Sequence, residues 1–337
     1  MGGNALKNIE TRRYARDEFE IMADRIVRTL NSNIGVDAVC IPFYHTKESF
    51  GDLDILYQTS SDERLTKQAI IDLFDPDEII VNYDVISFNV NQLQVDVIHS
   101  PQATFDYAKS YFAWNDCGNL IGKLCHKFGL KHGHQGLLFP MRDGDNMFAE
   151  ILVTLEHDKT LEFLGLDPEA HRRGFDTLED MFKFICSSKY FNPKFFAFES
   201  MNHIARIQDK KRDTYNRFLA YANAYQGPVW EPTVQNKADY LDFLFDSFDL
   251  LESKFNSACR DLGFAKYVKT KFNGIIVSQL TGLQGKQLGA FMAQLKTDSR
   301  LTPTMACYRS DDDIARLVME NFERYQKSVQ CNHGQSF

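Results

Sequence analysis

The stretch Ser49-Phe-Gly-Asp-Leu-Asp-Ile-Leu56 constrains this chain more than any other. Charged and apolar residues alternate from Asp52 to Tyr57, which predicts a strand with one buried and one wet face. Asp52 and Asp54 are two apart, so both side chains point to the same face of such a strand. Two like charges side by side repel, and a purely structural strand tends to avoid them. A divalent cation removes that cost. Mg2+ prefers hard oxygen ligands and takes one or two carboxylates together with phosphate oxygens and waters. A third carboxylate, Asp96, lies in Val95-Asp-Val97, also on a predicted strand. If the two strands are neighbours, three carboxylates converge on one point, the ligand set of a two-metal phosphoryl-transfer site. Asp52 and Asp54 alone are explained equally well by chance alternation on an exposed strand. Gly51, the apolar flanks and the second apolar-Asp-apolar strand favour the metal site.

The rest of the chain supplies a setting for that strand. Residues 14 to 31 predict an amphipathic helix, with Phe19, Met22, Ile26 and Leu30 at three-to-four spacing. A short apolar strand follows from Val36 to Pro42. A helix is expected at 62 to 73, then strands at 78–83, 85–90 and 92–98. A helix at 116–128 leads into a Lys/His-rich turn from Lys127 to His134. A hairpin is expected from Gly136 to Leu155, around Asp143-Gly144. Helices follow near 158–166 and 177–187, and then at 208–225, 235–263, 274–296 and 311–328. The order predicts the α+β class. A small mixed or antiparallel sheet with flanking helices occupies residues 1–100, an α+β extension 101–199, and a mainly helical domain 200–337. Alternating βαβα units with a glycine-rich turn are absent, which argues against a dinucleotide-binding fold. The chain also lacks G-x-x-x-x-G-K-[ST], H-E-x-x-H and G-x-S-x-G.

Charge and cysteine usage narrow the partners. The 337 residues carry 38 basic and 46 acidic side chains, a net charge of −8. That disfavours a polyanion binder that works through its whole surface, and leaves room for a local basic groove. Basic clusters occur at Lys123 to His132, His171 to Arg173, Arg206 to Arg217 and Lys266 to Lys271; each reads first as a solvated face. Tyr111, Phe112 and Trp114 offer rings on which a base or sugar can stack. No apolar run approaches the roughly 18 residues of a membrane span, and the N-terminal residues lack the apolar stretch of a signal peptide. The 7 cysteines are scattered without a C-x-x-C, the pattern of reduced thiols in a cytoplasmic type of compartment. Cys125, His132 and His134 lack the second cysteine pair of a zinc site, and both histidines are expected on an exposed turn.

The run Cys40-Ile-Pro-Phe-Tyr-His-Thr-Lys-Glu-Ser-Phe-Gly-Asp-Leu-Asp-Ile-Leu56 resembles the palm motif of the DNA polymerase beta-like nucleotidyltransferase superfamily. It is most like the family X DNA polymerase form, roughly C-G-S-F-R-R-G-x-E-x-x-G-D-h-D-h-L. The resemblance extends over about residues 35 to 190, through Asp96, the pair Tyr111-Phe112, Asn115-Asp116, Asn119 and Lys123. It implies that Asp52 and Asp54 bind two Mg2+ or Mn2+ ions, and that Asp96 binds the catalytic one beside an attacking 3′-hydroxyl. It further implies a nucleoside triphosphate held by His45, Lys47, Ser49, Gly51, Tyr111, Phe112 and Asn119. A nucleic-acid acceptor, DNA or RNA, would meet Lys123 and Lys127. Gly282, Gly285 and Gly289 space a turn between two helices, with Lys286 near the start of the second. This is faintly similar to a late helix-turn-helix of tRNA nucleotidyltransferases that meets RNA backbone. One departure stands out. The family's Gly-Ser, which cradles the triphosphate, is replaced here by Ile41-Pro42, and Pro42 has no N–H to donate. The resemblance therefore implies nucleotidyl transfer to a nucleic-acid 3′ end. It leaves open transfer to a protein or small-molecule hydroxyl, and a non-catalytic palm kept for binding or assembly.

Overall fold

The computed structural model describes residues 5–61, 63–143, 146–232, 237–301 and 311–333. They form two compact units, Met1–Leu251 and Glu252–Phe337. The architecture is α+β, with a mixed sheet and flanking helices in the first unit and helices in the second.

The first unit opens with β1 (Tyr14–Ala15) and α1 (Arg16–Ile34). Helix α1 buries Phe19, Ala23, Ile26 and Leu30, one stripe at three-to-four spacing, and ends at Gly35 in the left-handed conformation. Next come β2 (Asp37–Cys40), β3 (Ser49–Phe50), β4 (Asp52–Gln58), α2 (Lys67–Phe74), β5 (Ile79–Asn82), β6 (Val85–Val90) and β7 (Leu93–His99). Five of these strands form a sheet in the order β2-β4-β7-β6-β5. All its neighbours are antiparallel except β4 and β7, which run parallel.

The pleat divides β4 and β7 cleanly. Leu53, Ile55 and Tyr57, with Leu93, Val95 and Val97, are buried in one core together with residues of α1 and α2. Asp52, Asp54 and Leu56, with Gln94, Asp96 and Ile98, face the other way. That second face is not uniformly wet, as the alternation alone predicts. Leu56 is fully buried with Phe105 and Ala108 of α3 (Phe105–Phe112). Helix α3 thus covers one end of this face and leaves the carboxylate end open.

Helix α4 (Cys117–Lys127) follows, then a three-stranded antiparallel sheet of β8 (Lys131–Gly133), β9 (Gly136–Asp143) and β10 (Asn146–Thr154). The expected hairpin is therefore present; Gly144 of its turn lies outside the described residues. The expected exposed turn holds only in part: His134 lies in the turn between β8 and β9 and is half-buried, whereas His132 is not in it. His132 is in β8, is only 8 % exposed, and its Nδ1 faces the Gly118 carbonyl at 3.0 Å. Charge and turn composition suggested solvent there, but β8 lies against α4 and takes His132 into the core. Helices α5 (His157–Leu164), α6 (Pro168–Arg173), α7 (Leu178–Cys186), α8 (His203–Lys210), α9 (Asp213–Asn223) and α10 (Leu241–Ser247) complete the unit. Thr177 and Asp180 form a capping box that starts α7.

The second unit contains most of α11 (Leu251–Lys271), with α12 (Gly274–Thr281), α13 (Gly285–Leu295) and α14 (Asp311–His333). Val277, Phe291, Leu295, Ile314, Leu317 and Val318 form its core. Gly282, at φ +73°, ends α12 and permits the turn into α13. The side chains of the Lys266 to Lys271 cluster lie outside the described residues. Among the described residues no helix is long and apolar enough to cross a membrane.

Candidate functional site

The parallel pairing of β4 and β7 sets the register Asp52 to Gln94 and Asp54 to Asp96. One carboxylate oxygen from each of Asp52, Asp54 and Asp96 lies within 4.8 Å of the others. The convergence expected from the sequence is therefore present in the backbone register itself. An all-oxygen donor set of this size fits a hard divalent cation.

The electrostatics fit a cation as well. Enclosure by protein, then the charges of Asp52 and Asp96, push the Asp54 carboxyl up to about 8, with Lys47 opposing. Asp54 still reaches water through the open end of the sheet face. Solvent contact tempers the desolvation, so the repulsion from its neighbours carries more of the effect. Asp96 is also raised, by burial first, against hydrogen bonds from Ser87 and Gln94 that lower it. Lys47, in the lining of the same cleft, answers the carboxylates. Burial lowers its pKa, and Asp52 and Asp54 pull it back up. Its ammonium lies 4.6 Å from the centre of the Phe50 ring.

Asp52, Asp54, Lys47 and Phe50 line a cleft of about 480 Å3 within the first unit; Asp96 is not among its lining residues. Its floor holds Asp52 and Asp54. One wall holds Tyr111, Phe112, Asn115, Asp116 and Asn119, from the end of α3 to α4. Another holds Arg212, Asp213 and Thr214 at the start of α9. Trp114 and Asn115 are successive non-glycine residues with φ of +63° and +62°. Such conformations cost about 1–3 kcal/mol each and concentrate at functional sites. They are held by Trp114, whose backbone N–H donates to the Pro42 carbonyl and whose indole N–H donates to the His171 carbonyl, both at 2.8 Å.

The cleft separates the expected nucleotide residues into two groups. Lys47, Tyr111, Phe112 and Asn119 line it, whereas His45, Ser49 and Gly51 are not among its lining residues. His45 Nδ1 pairs with Asp176 at 2.9 Å, and the Ser49 hydroxyl accepts from Arg13 Nε at 2.8 Å. Ile41 donates its N–H to the Asp54 carbonyl at 3.0 Å. With Pro42 beside it, this loop offers no free backbone donor at positions 41 and 42.

The expected nucleic-acid residues are dispersed. Lys123 is paired with the buried Asp209 at 2.6 Å. Lys127 lies 4.1 Å from the centre of the Phe195 ring, and burial lowers its pKa. Both line a second cavity of about 260 Å3, which shares Tyr111 and Asn119 with the cleft. Lys286 is exposed in the first turn of α13, in the other compact unit.

Two residues that sequence reasoning did not single out organise the site. Asp209 is 4 % exposed, and accepts from Asn119 Nδ2 at 3.3 Å as well as from Lys123. Gln94 is 2 % exposed, and donates to both oxygens of Asp96 at 3.1 and 3.0 Å. Asp209 is hidden in the charge run from Arg206 to Arg217, and its partners are remote in sequence. Gln94 carried a signal: it is two residues from Asp96 on one strand and so shares its face.

No protein-family model and no curated protein matches this chain. Among solved structures, a polymerase beta of Leishmania infantum, determined as a ternary P/T complex, is similar with 10% identity and a TM-score of 0.37. The match covers 46% of this chain and 74% of that one.

Proposed function

We propose that this protein is a divalent-metal-dependent nucleotidyltransferase that transfers a nucleoside monophosphate to a nucleic-acid 3′-hydroxyl and releases pyrophosphate. The observation that carries this reading is the meeting of Asp52, Asp54 and Asp96 at one cation-sized point, beside an open cleft that Asp52 and Asp54 line. Asp52, Asp54 and Asp96 would hold Mg2+ or Mn2+. Such ions, when bound, neutralise charge along an in-line phosphoryl displacement. Asp96 lies on the strand beside Asp54 and favours loss of the proton from an attacking hydroxyl. The oxygen so freed bonds to the α-phosphorus as the bond to pyrophosphate breaks. Lys47 supplies positive charge toward the phosphates, Tyr111 and Phe112 supply ring surface, and Asn119 supplies an amide to the sugar or base.

The test is nucleotide incorporation by purified protein. Each ribo- and deoxyribonucleoside triphosphate is offered with Mg2+ or Mn2+ to single-stranded, primed and tRNA-like acceptors. Incorporation that is lost in Asp54→Ala supports the reading; incorporation that survives it sinks the reading.

One observation favours a second reading. Ile41 and Pro42 leave no free backbone donor where the resembled motif has its phosphate cradle. A carboxylate site without that cradle suits a binding module that keeps metal and has lost turnover. Metal binding without pyrophosphate release on any acceptor is its expected outcome.

A further inference from the structure

We propose that the N-terminal arm is a strap that sets the metal site by fixing the orientation of Asp96 through Gln94; the inference rests on the reading of Asp96 as a metal ligand. The arm, residues 5 to 8, crosses to Gln94 on β7 and to Glu78 just before β5, 70 to 89 positions away in sequence. The backbone N–H groups of Ala5 and Leu6 donate to Gln94 Oε1 at 2.9 and 3.4 Å. Lys7 and Asn8 donate theirs to Glu78 Oε2 at 3.0 and 2.9 Å, and the Asn8 side-chain amide donates to Glu78 Oε1 at 2.8 Å. Leu6 is buried at 6 % exposure, so the arm is anchored by a side chain as well as by polar contacts.

An amide side chain has one accepting end and one donating end. Backbone N–H groups can only donate, so the arm fixes which end of Gln94 is oxygen. The other end is then the NH2 group, and it faces Asp96. There it donates to both carboxylate oxygens, which limits rotation of that carboxylate while leaving lone pairs on each oxygen for a cation. Among the described residues, Ala5 and Leu6 are the donors to Gln94 Oε1, so without the arm none of these residues holds the amide in this sense. A flip would bring oxygen against oxygen at Asp96. Partners that orient metal ligands typically change metal affinity by about 10–100-fold when they are removed. Coupling is reciprocal: if arm docking favours the metal-ready site, bound metal favours arm docking.

The experiment measures Mn2+ binding by the whole protein, by calorimetry and by the electron paramagnetic resonance of free Mn2+. Wild type is compared with Gln94→Met, with a chain lacking residues 1–6, with both changes together, and with Asp54→Ala as a site control. Leu6→Ala, which loosens the anchor without touching Gln94, covers the case in which truncation prevents folding. Thermal unfolding in chelator checks that each variant is folded. The expected result is about tenfold weaker Mn2+ binding for each single change. The double change should be no weaker than either alone, because both break one chain of contacts. In wild type, amide exchange at Ala5 and Leu6 should slow when Mn2+ is added, and in Asp54→Ala it should not. A purely structural arm would not show this non-additivity or this metal-dependent protection. Wild-type affinity in both the folded truncated chain and Leu6→Ala overturns the strap, and so do effects that multiply; either leaves the metal site standing. Failure of wild type to bind Mn2+ overturns the metal site and the strap together.

Discussion

Asp54 on β4 lies directly opposite Asp96 on β7, across the one parallel ladder in the main sheet. Ordinary sheet packing does not favour two carboxylates facing each other in adjacent strands. With no cation bound, their repulsion helps hold the Asp54 carboxyl up to about 8, so it is felt in full only above that pH. Asp54→Asn should therefore raise the melting temperature in chelator at a pH above that value, by roughly 2–4 °C for each kcal/mol of repulsion removed. The same change should abolish Mn2+ binding. Calorimetric melting with and without Mn2+ measures both, and a variant that melts lower than wild type in chelator refutes the argument.

Gly118 in α4 lets the main chain of α3 approach it. A Cβ placed there would sit 2.1 Å from the Tyr111 carbonyl oxygen, a backbone atom that cannot step aside. Gly118→Ala should destabilise the fold by about 1–3 kcal/mol. It should also push Tyr111 out of the cleft wall. Chemical denaturation reports the first effect. Tyr111→Ala, which empties the same wall without the clash, shows how much of any loss of nucleotide binding comes from the ring.

The legible parts of this chain were those governed by local periodicity. Phe19, Ile26 and Leu30 spelled out α1, and the Asp-x-Asp alternation with Val95-Asp-Val97 gave the carboxylate face of the sheet, because strand alternation assigns faces without knowledge of tertiary contacts. What remained hidden depends on long-range packing. His132 was expected in solvent because it falls in the Lys/His-rich stretch from Lys127 to His134; only the docking of β8 on α4 buries it. Leu56 looked like a wet-face residue until α3 covered it. Gln94 and Asp209 act through residues far away in the chain, Ala5 in one case and Lys123 in the other. No spacing rule reaches such pairs.

Lys47 and His45 are two residues apart and are placed differently. Lys47 lines the cleft beside Asp52, whereas His45 pairs with Asp176 and does not line it. Under the proposed function, Lys47→Ala should weaken triphosphate binding by about tenfold or more, the loss of one charge-assisted contact. His45→Ala should leave it within about twofold. Equilibrium binding of a non-hydrolysable triphosphate analogue with Mg2+ checks both. Equal losses in the two variants would return His45 to the nucleotide site.

Lys123 and Asp209 form a pair whose side chains are 16% and 5% exposed. Removing Asp209 strands the Lys123 charge in a poorly solvated place, which typically costs about 3–5 kcal/mol, whereas removing Lys123 leaves Asp209 only Asn119 and the more distant Arg212 Nε at 3.9 Å. Lys123→Met and Asp209→Leu should each destabilise strongly, and together they should recover much of the loss. Urea denaturation of the two single variants and the double variant closes the cycle. The pairing bears on function too. If Asp209 neutralises Lys123, then Lys123→Met should leave the salt dependence of nucleic-acid binding unchanged, whereas a phosphate contact would lower its slope by about one.

His132, His157 and His171 make the first unit sensitive to acid. Ring centroids of His132 and His157 lie 5.4 Å apart, and those of His157 and His171 lie 4.7 Å apart. All three are buried, and among the described residues their Nε2 atoms have no hydrogen-bond partner. Burial above all pushes His132 and His171 down to about 4, and His157 is lowered further by its two neighbours. In the unfolded chain each titrates near 6.5. The unfolded state therefore binds more protons between those values, and stability rises with pH across that window. The contribution is complete above about 6.5 and is lost as pH falls toward 4. His157→Phe keeps the ring and removes the titration, so its stability should fall less steeply between pH 6.5 and 4 than that of wild type. Urea midpoints measured at half-unit steps of pH test this, and parallel curves for the two proteins would show that acid acts elsewhere.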